Sequence, residues 1–216
     1  MKTYLKSNNS DKLLLFFCGW GMDKTPFNPL NCDSDILFVY DYTTCDFEYD
    51  FSKYKDIKLL AFSYGVYACS IVNLPKLSRK VAINGTLIPV DDEYGVPFKK
   101  FELTEKMDSQ SVVKFRQRLF GGVEAENHFE IFEQNLPERS AKSCTDELIG
   151  MKKYVPDFGM SALEFDKVFV SEYDKCVPTK NQKKFWLQKC PTKIDLLPFG
   201  HFVFYNYKNF AEFFNK

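Results

Sequence analysis

Residues 58–69 read KLLAFSYGVYAC, and the serine at position 63 sits between an apolar run and a segment of helical periodicity. A strand that feeds a helix through a sharp corner is where one large class of hydrolases mounts its nucleophile. The general pattern is G-x-S-x-G, because small residues two before and two after the serine keep strand and helix from colliding. Here it is A-F-S-Y-G, so Gly65 meets the requirement and Ala61 approximates it. By itself S-x-G after a strand is a weak signal, and the rest of the chain must decide whether Ser63 is a nucleophile.

Outward from this corner, short apolar runs bounded by turn residues recur at 12–18, 35–40, 57–62, 80–83, 167–170 and 192–197. Such runs read as strands buried on both faces of a parallel sheet. Between positions 62 and 80, apolar residues at 66, 67, 71, 72 and 74 predict a helix covering one sheet face. Strands alternating with helices indicate an α/β architecture, a mostly parallel open sheet flanked by helices. From about 97 to 158 the β-branched runs disappear, while VVKFRQRLF and NHFEIF carry helical spacing. We read that stretch as a helical lid inserted between two strands of a single domain spanning 1–216. The closing FVFYNYKNFAEFFNK predicts a final helix packed by its aromatic face.

Composition narrows the function. A chain of 216 residues supports one domain with a sizeable core. Its 29 basic and 29 acidic residues balance, so no global charge favours nucleic acid or an anionic membrane. The 23 Phe and 12 Tyr predict an aromatic-rich core or pocket. Seven cysteines, an odd number with no C-x-x-C spacing, read as buried reduced thiols. The segment MKTYLKSNNSDK lacks the basic-then-apolar pattern of a signal peptide, and LLLFFC at 13–18 is too short to span a bilayer. A soluble cytoplasmic protein is expected, with no cofactor, metal, nucleic-acid or membrane partner.

A nucleophilic serine of this kind needs an acid and a histidine after it in the chain. His201 lies in LLPFGHFVF, directly after a strand-like run, and Asp174 follows KVFVS in EYDKCVP. Open α/β sheets gather functional groups beyond their carboxyl strand ends. Ser63, Asp174 and His201 all fall there. Asp166 precedes its strand and Asp195 lies within one, so both rivals point the wrong way. His128, in the insertion, reads as structural or exposed. The first strand ends in G-W-G-M-D at 19–23, where flanking glycines let the backbone approach a ligand. The backbone amides of Trp20 and Tyr64 are the expected oxyanion donors. The motif order therefore predicts ester hydrolysis through an acyl-enzyme.

Five segments sharpen this: FCGWGMD at 17–23, YDY at 40–42, AFSYGVYA at 61–68, INGTLIPVDDEYGVP at 83–97 and FGHFVF at 199–204. Together they resemble the BioG-type pimeloyl-acyl carrier protein methyl ester esterases, over most of the chain and least in the insertion. The resemblance implies a compact α/β-hydrolase fold with a helical lid. It also implies cleavage of the methyl ester of pimeloyl-acyl carrier protein, the step that ends pimelate assembly in biotin synthesis. The alternative is a small-acyl esterase or thioesterase of the same fold. The family's triad falls on Ser63, Asp174 and His201, and the family tolerates a residue other than glycine at position 61.

An apolar acyl chain would suit an aromatic-lined tunnel, with Trp20 and Phe62 as its neighbours. An acidic carrier protein would be steered by basic groups, here Lys99, Lys100, Lys114, Arg116 and Arg118. Asp91, Asp92 and Glu93 have no histidine or second acidic cluster to complete a metal site. They are expected to bond backbone amides and shape the entrance to the lid.

Overall fold

The computed structural model describes residues 1–104, 106–153, 163–189 and 193–215. Its strands are β1 (Lys2–Lys6), β2 (Lys12–Phe17), β3 (Asp35–Tyr40), β4 (Asp56–Phe62), β5 (Arg79–Ile83), β6 (Lys167–Ser171) and β7 (Ile194–Leu197). They form one sheet in the order β1-β3-β2-β4-β5-β6-β7. β1 is antiparallel to β3, and every other neighbouring pair is parallel. Six strands fall on the apolar runs of the sequence, although the first residue of the 192–197 run lies outside the described residues. β1 is the strand that the sequence reading missed. KTYLK is an exposed edge with no apolar run, and only its pairing with β3 makes it a strand.

Side chains alternate across a strand, so each strand feeds two cores. Leu13, Leu15, Phe17, Leu59 and Ala61 enter one core. Leu14, Phe16, Leu60 and Phe62 enter the other. The aromatic surplus goes mainly to this second core. There Phe16, Phe27, Phe202 and Phe204 interlock at ring-centroid distances of 4.7 to 5.6 Å.

Two helical expectations need correction. After Ser63, α1 spans only Gly65–Ala68 and passes into a 3-10 turn, Cys69–Ile71. Cys69 and Ser70 bond back to the carbonyls of Val66 and Tyr67, and Val72 is already extended before Leu74-Pro75. The aromatic terminus is two 3-10 turns, Phe204–Asn206 and Phe210–Phe214, rather than one helix. Asn209 and Glu212 form a capping box that restarts the second turn, and its Phe210, Phe213 and Phe214 are buried.

Between β5 and β6 lie α2 (Phe98–Thr104), α3 (Ser109–Arg118), α4 (Ala125–Glu133) and α5 (Ala141–Lys152). Asp108 and Ser140 cap α3 and α5 by accepting from the amides of Ser111 and Ser143. The last residues of the expected lid, 154–158, lie outside the described residues. α6 (Thr179–Gln188) follows β6 and buries Phe185 and Trp186 in the first core.

Candidate functional site

Register brings the motifs together. β2 and β4 are parallel neighbours with Phe17 opposite Ala61, so the G-W-G loop emerges beside Ser63. The chain leaves β2 for β3 on one side and returns to β4 on the other, which makes this the crevice where α/β sheets bind ligands. β6 and β7 pair with Ser171 opposite Leu197, so the segments carrying Asp174 and His201 leave the same edge side by side.

Ser63 has φ of +56°, a left-handed conformation that a non-glycine residue rarely adopts. This turns its side chain out of the strand at the corner. The tight approach falls on Gly65, where a Cβ would lie 2.3 Å from the Phe17 carbonyl oxygen and 2.5 Å from that of Cys18. Ala61 is fully buried in the first core, between Phe17 and Ala82 on the neighbouring strands. Its methyl is core packing. Gly65→Ala is therefore expected to cost about 3 kcal/mol of stability, since backbone cannot yield as a side chain can. Urea denaturation measures it, and a loss below about 1 kcal/mol would contradict this account of the corner.

His201 Nε2 lies 2.9 Å from Ser63 Oγ, and its Nδ1 lies 2.8 Å from Asp174 Oδ2. The Asp174 side chain is fully buried and saturated with donors. Its Oδ1 accepts from the amides of Cys176 at 2.7 Å and Val177 at 2.9 Å, and its Oδ2 also accepts from Gln182 Nε2 at 2.9 Å. An imidazole held between a hydroxyl and a carboxylate can take the hydroxyl proton and carry the resulting charge. The rival acids sit elsewhere: Asp166 accepts from the Lys80 amide, and Asp195 pairs with buried Lys167 at 2.8 Å. His128 is buried beside Glu124 and Tyr205, and burial lowers its pKa. Asp174, Cys176 and His201 also bring ligand-capable atoms within 4.8 Å of one another. Burial pushes the Cys176 thiol well up, the opposite of what a thiolate ligand needs.

Ser63 and His201 open onto a cavity of about 330 Å³. Trp20, Phe62 and Tyr64 line it, with Phe101, Phe115 and Met151 from the helical insertion. Phe62 also packs against the His201 ring at 4.9 Å. Among the described residues its charged lining is purely cationic, comprising Lys100, Lys114, Arg118 and Lys175. The expected basic cluster is thus divided. Lys114 and Arg118, four apart on α3, share the cavity face. Arg116 points away, half-buried, and donates to the Arg139 carbonyl at 3.5 Å. Lys99 is exposed outside the cavity lining, and Lys100 donates to the carbonyls of Lys175 and Cys176, beside Asp174. Lys175 escaped the sequence reading because the strand-to-helix turn that aims it at the cavity is a tertiary feature. Two of the three acids at 91–93 bond the backbone, Asp91 accepting from the amides of Glu93 and Tyr94 and Asp92 from that of Phe98, whereas Glu93 pairs with Lys184 on α6 at 2.6 Å.

The insertion also holds the G-W-G loop. Buried Glu147 on α5 accepts from the amides of Gly21 at 3.1 Å and Tyr42 at 3.0 Å, and Trp20 Nε1 donates to the Cys144 carbonyl at 2.8 Å. Arg139 completes the cluster, 3.2 Å from Glu147 and 3.4 Å from Asp41. Complete burial pushes the Glu147 carboxyl up to about 7, against the pull of Arg139 and the two amides. A raised carboxyl pKa favours the folded state below the unfolded value, and that advantage is lost as pH rises through about 7. The stability of the protein relative to Glu147→Gln should therefore fall by about 3 kcal/mol between pH 4.5 and 8. Denaturant titrations at the two pH values check it, and a pH-independent difference would refute it.

A parallel sheet whose carboxyl edge carries a left-handed serine, a bonded histidine and a buried acid defines an α/β-hydrolase. An esterase from Exiguobacterium antarcticum shares the fold with a TM-score of 0.68, at 16% identity over 94% of this chain and 90% of that one. The selenomethionine crystal structure of BioG from Haemophilus influenzae matches with a TM-score of 0.90 and 26% identity, over 100% of both chains. The family described as "Pimeloyl-ACP methyl esterase BioG" matches residues 1–213, and the chain belongs to that family. It is also 37% identical over 184 residues to a malonyl-[acyl-carrier protein] O-methyltransferase of Bacteroides fragilis. That match covers 82% of this chain but 37% of the relative's length. Among the described residues no helix is long and apolar enough to cross a membrane, and Cys18, Cys32, Cys69, Cys144 and Cys176 are free thiols.

Proposed function

We propose that the protein hydrolyses the methyl ester of pimeloyl-acyl carrier protein, releasing methanol and the free ω-carboxylate for biotin synthesis. The observation that carries this is the Ser63–His201–Asp174 chain of hydrogen bonds opening on an apolar cavity with a cationic lining. His201 Nε2 takes the Ser63 proton as Oγ attacks the ester carbonyl. The amides of Trp20 and Tyr64 receive the oxyanion. His201 then protonates the departing methoxide, and water repeats the sequence on the acyl-enzyme. Asp174 holds Nδ1–H throughout, so the Nε2 lone pair faces Ser63.

Family membership supports an ester of an acyl carrier protein as the substrate. So does the Bacteroides relative, whose name assigns it methylation of malonyl-acyl carrier protein: a methyl ester made by one activity is a substrate for the other. The apolar lining suits the acyl chain. The cationic groups suit an acidic carrier. Reversing two of them, Lys114→Glu with Arg118→Glu, is expected to raise KM for the carrier-linked substrate roughly tenfold while a short p-nitrophenyl ester changes less than about twofold. Equal losses on both substrates would remove these residues from docking.

The function is tested by giving the purified protein methyl pimeloyl-acyl carrier protein and following intact mass. The expected product has lost its methyl ester and kept its thioester. A serine-directed phosphonate should at the same time add to Ser63. Cleavage of the thioester would instead make the protein a thioesterase, and a phosphonate adduct elsewhere would refute the serine route.

A further inference from the structure

The block at 83–97 is the most distinctive stretch of the sequence, and its acids serve its own loop and an ion pair from Glu93 to Lys184 on α6. Its first residues reach the active groups. β5 lies between β4, which carries Ser63, and β6, which leads to Asp174, with Phe62 opposite Ile83. Ser63 donates its backbone N–H to the Ile83 carbonyl at 2.8 Å. Gly85 then passes so close that a Cβ there would lie 2.2 Å from the Ser63 carbonyl oxygen. Trp186 Nε1 donates to the Gly85 carbonyl at 3.0 Å and holds it in place.

Between them stands Asn84, fully buried, with φ of +49°. Its Nδ2 donates to the backbone carbonyl of His201 at 2.7 Å and to Ser171 Oγ at 2.8 Å. Its Oδ1 accepts from the Ser171 amide at 2.7 Å. The position needs two side-chain donors, one acceptor and a left-handed backbone. Asparagine meets all four demands, since it is the non-glycine residue best suited to that region. Aspartate would lack the donors and glycine the side chain.

We propose that Asn84 is a positioning residue that, with Gly85, sets the separation of Ser63 and His201. This rests on the serine reading above. The turn grips the Ser63 main chain on one side and the His201 carbonyl on the other, so the 2.9 Å between Oγ and Nε2 is measured across it. Released from Asn84, the His201 backbone keeps the bond from the Phe202 amide to the Leu119 carbonyl, which reaches the insertion rather than the sheet.

Three variants test this with a short p-nitrophenyl ester, each rate normalised to folded protein. Asn84→Gly keeps the left-handed turn and deletes the amide. Asn84→Asp keeps the shape and the acceptor but sets a carboxylate oxygen against the His201 carbonyl. Both should lower kcat roughly 30- to 300-fold with KM changed less than about twofold, as expected for a misplaced reacting group. Phosphonate labelling of Ser63 should slow in parallel. Ser171→Ala removes the other partner of Nδ2 and leaves the bond to His201, so its kcat should stay within about threefold. Near-normal kcat in Asn84→Asp, or an equal loss in Ser171→Ala, would overturn the assignment. Full activity in Ser63→Ala would instead remove the serine reading on which it rests.

Discussion

Ser63→Ala is expected to lower kcat for ester cleavage on the order of 10⁵-fold, with the remainder supplied by binding and the oxyanion donors. The hydroxyl is the group in the cavity placed 2.9 Å from His201 Nε2, and the alanine leaves no atom to form the acyl-enzyme. Stability should barely respond. The left-handed turn is as strained for alanine as for serine, and one lost hydrogen bond is worth about 1 kcal/mol. Single-turnover kinetics beside a denaturation curve separate the two quantities. A variant that retains more than about a hundredth of the activity would exclude Ser63 as nucleophile.

Asp174→Asn carries the second large effect, a fall in kcat of about 10⁴-fold. Every acceptor position on Asp174 is occupied by a donor: two backbone amides on Oδ1, and His201 Nδ1 with Gln182 Nε2 on Oδ2. An amide nitrogen in place of Oδ2 donates to Nδ1 and confronts the Gln182 donor. His201 must then accept at Nδ1 and carry its proton on Nε2, where it cannot take one from Ser63. In the proposed mechanism the three groups act as a unit, so adding Ser63→Ala to Asp174→Asn should lower the rate no further than Ser63→Ala alone. Independent, multiplicative losses would show that Asp174 acts separately from Ser63.

Five strands, β2 to β6, were legible because burial leaves nearly continuous apolar runs, as in LLLFF of β2 and VFV of β6, while β7 was legible from IDLL although it is a partly exposed edge. The same reasoning could not see β1, an edge strand whose first three residues are exposed and whose Leu5 is partly buried against the core. It overran α1, because apolar spacing at 66–74 continues past the point where Cys69 and Ser70 bond back to the helix. At the site, the chain order of Ser63, Asp174 and His201 was legible, as was the placement of each after an apolar strand. Arg116 was not, because spacing on α3 separates its face from that of Lys114 and Arg118 without saying which faces the cavity.

The sequence by itself determined the alternation of strands and helices, the sharp corner at Ser63 and the family to which the chain belongs. These are local, encoded by the period of apolar residues and by short motifs. Only the tertiary structure decided which cations line the cavity, and that Glu147 holds Gly21 and Asn84 holds His201. Those partners stand 126 and 117 residues apart, so the hydrogen bonds joining them leave no periodic trace in the chain. They exist because a parallel sheet brings its strand ends to one edge, and a buried amide or carboxylate must find its partners there.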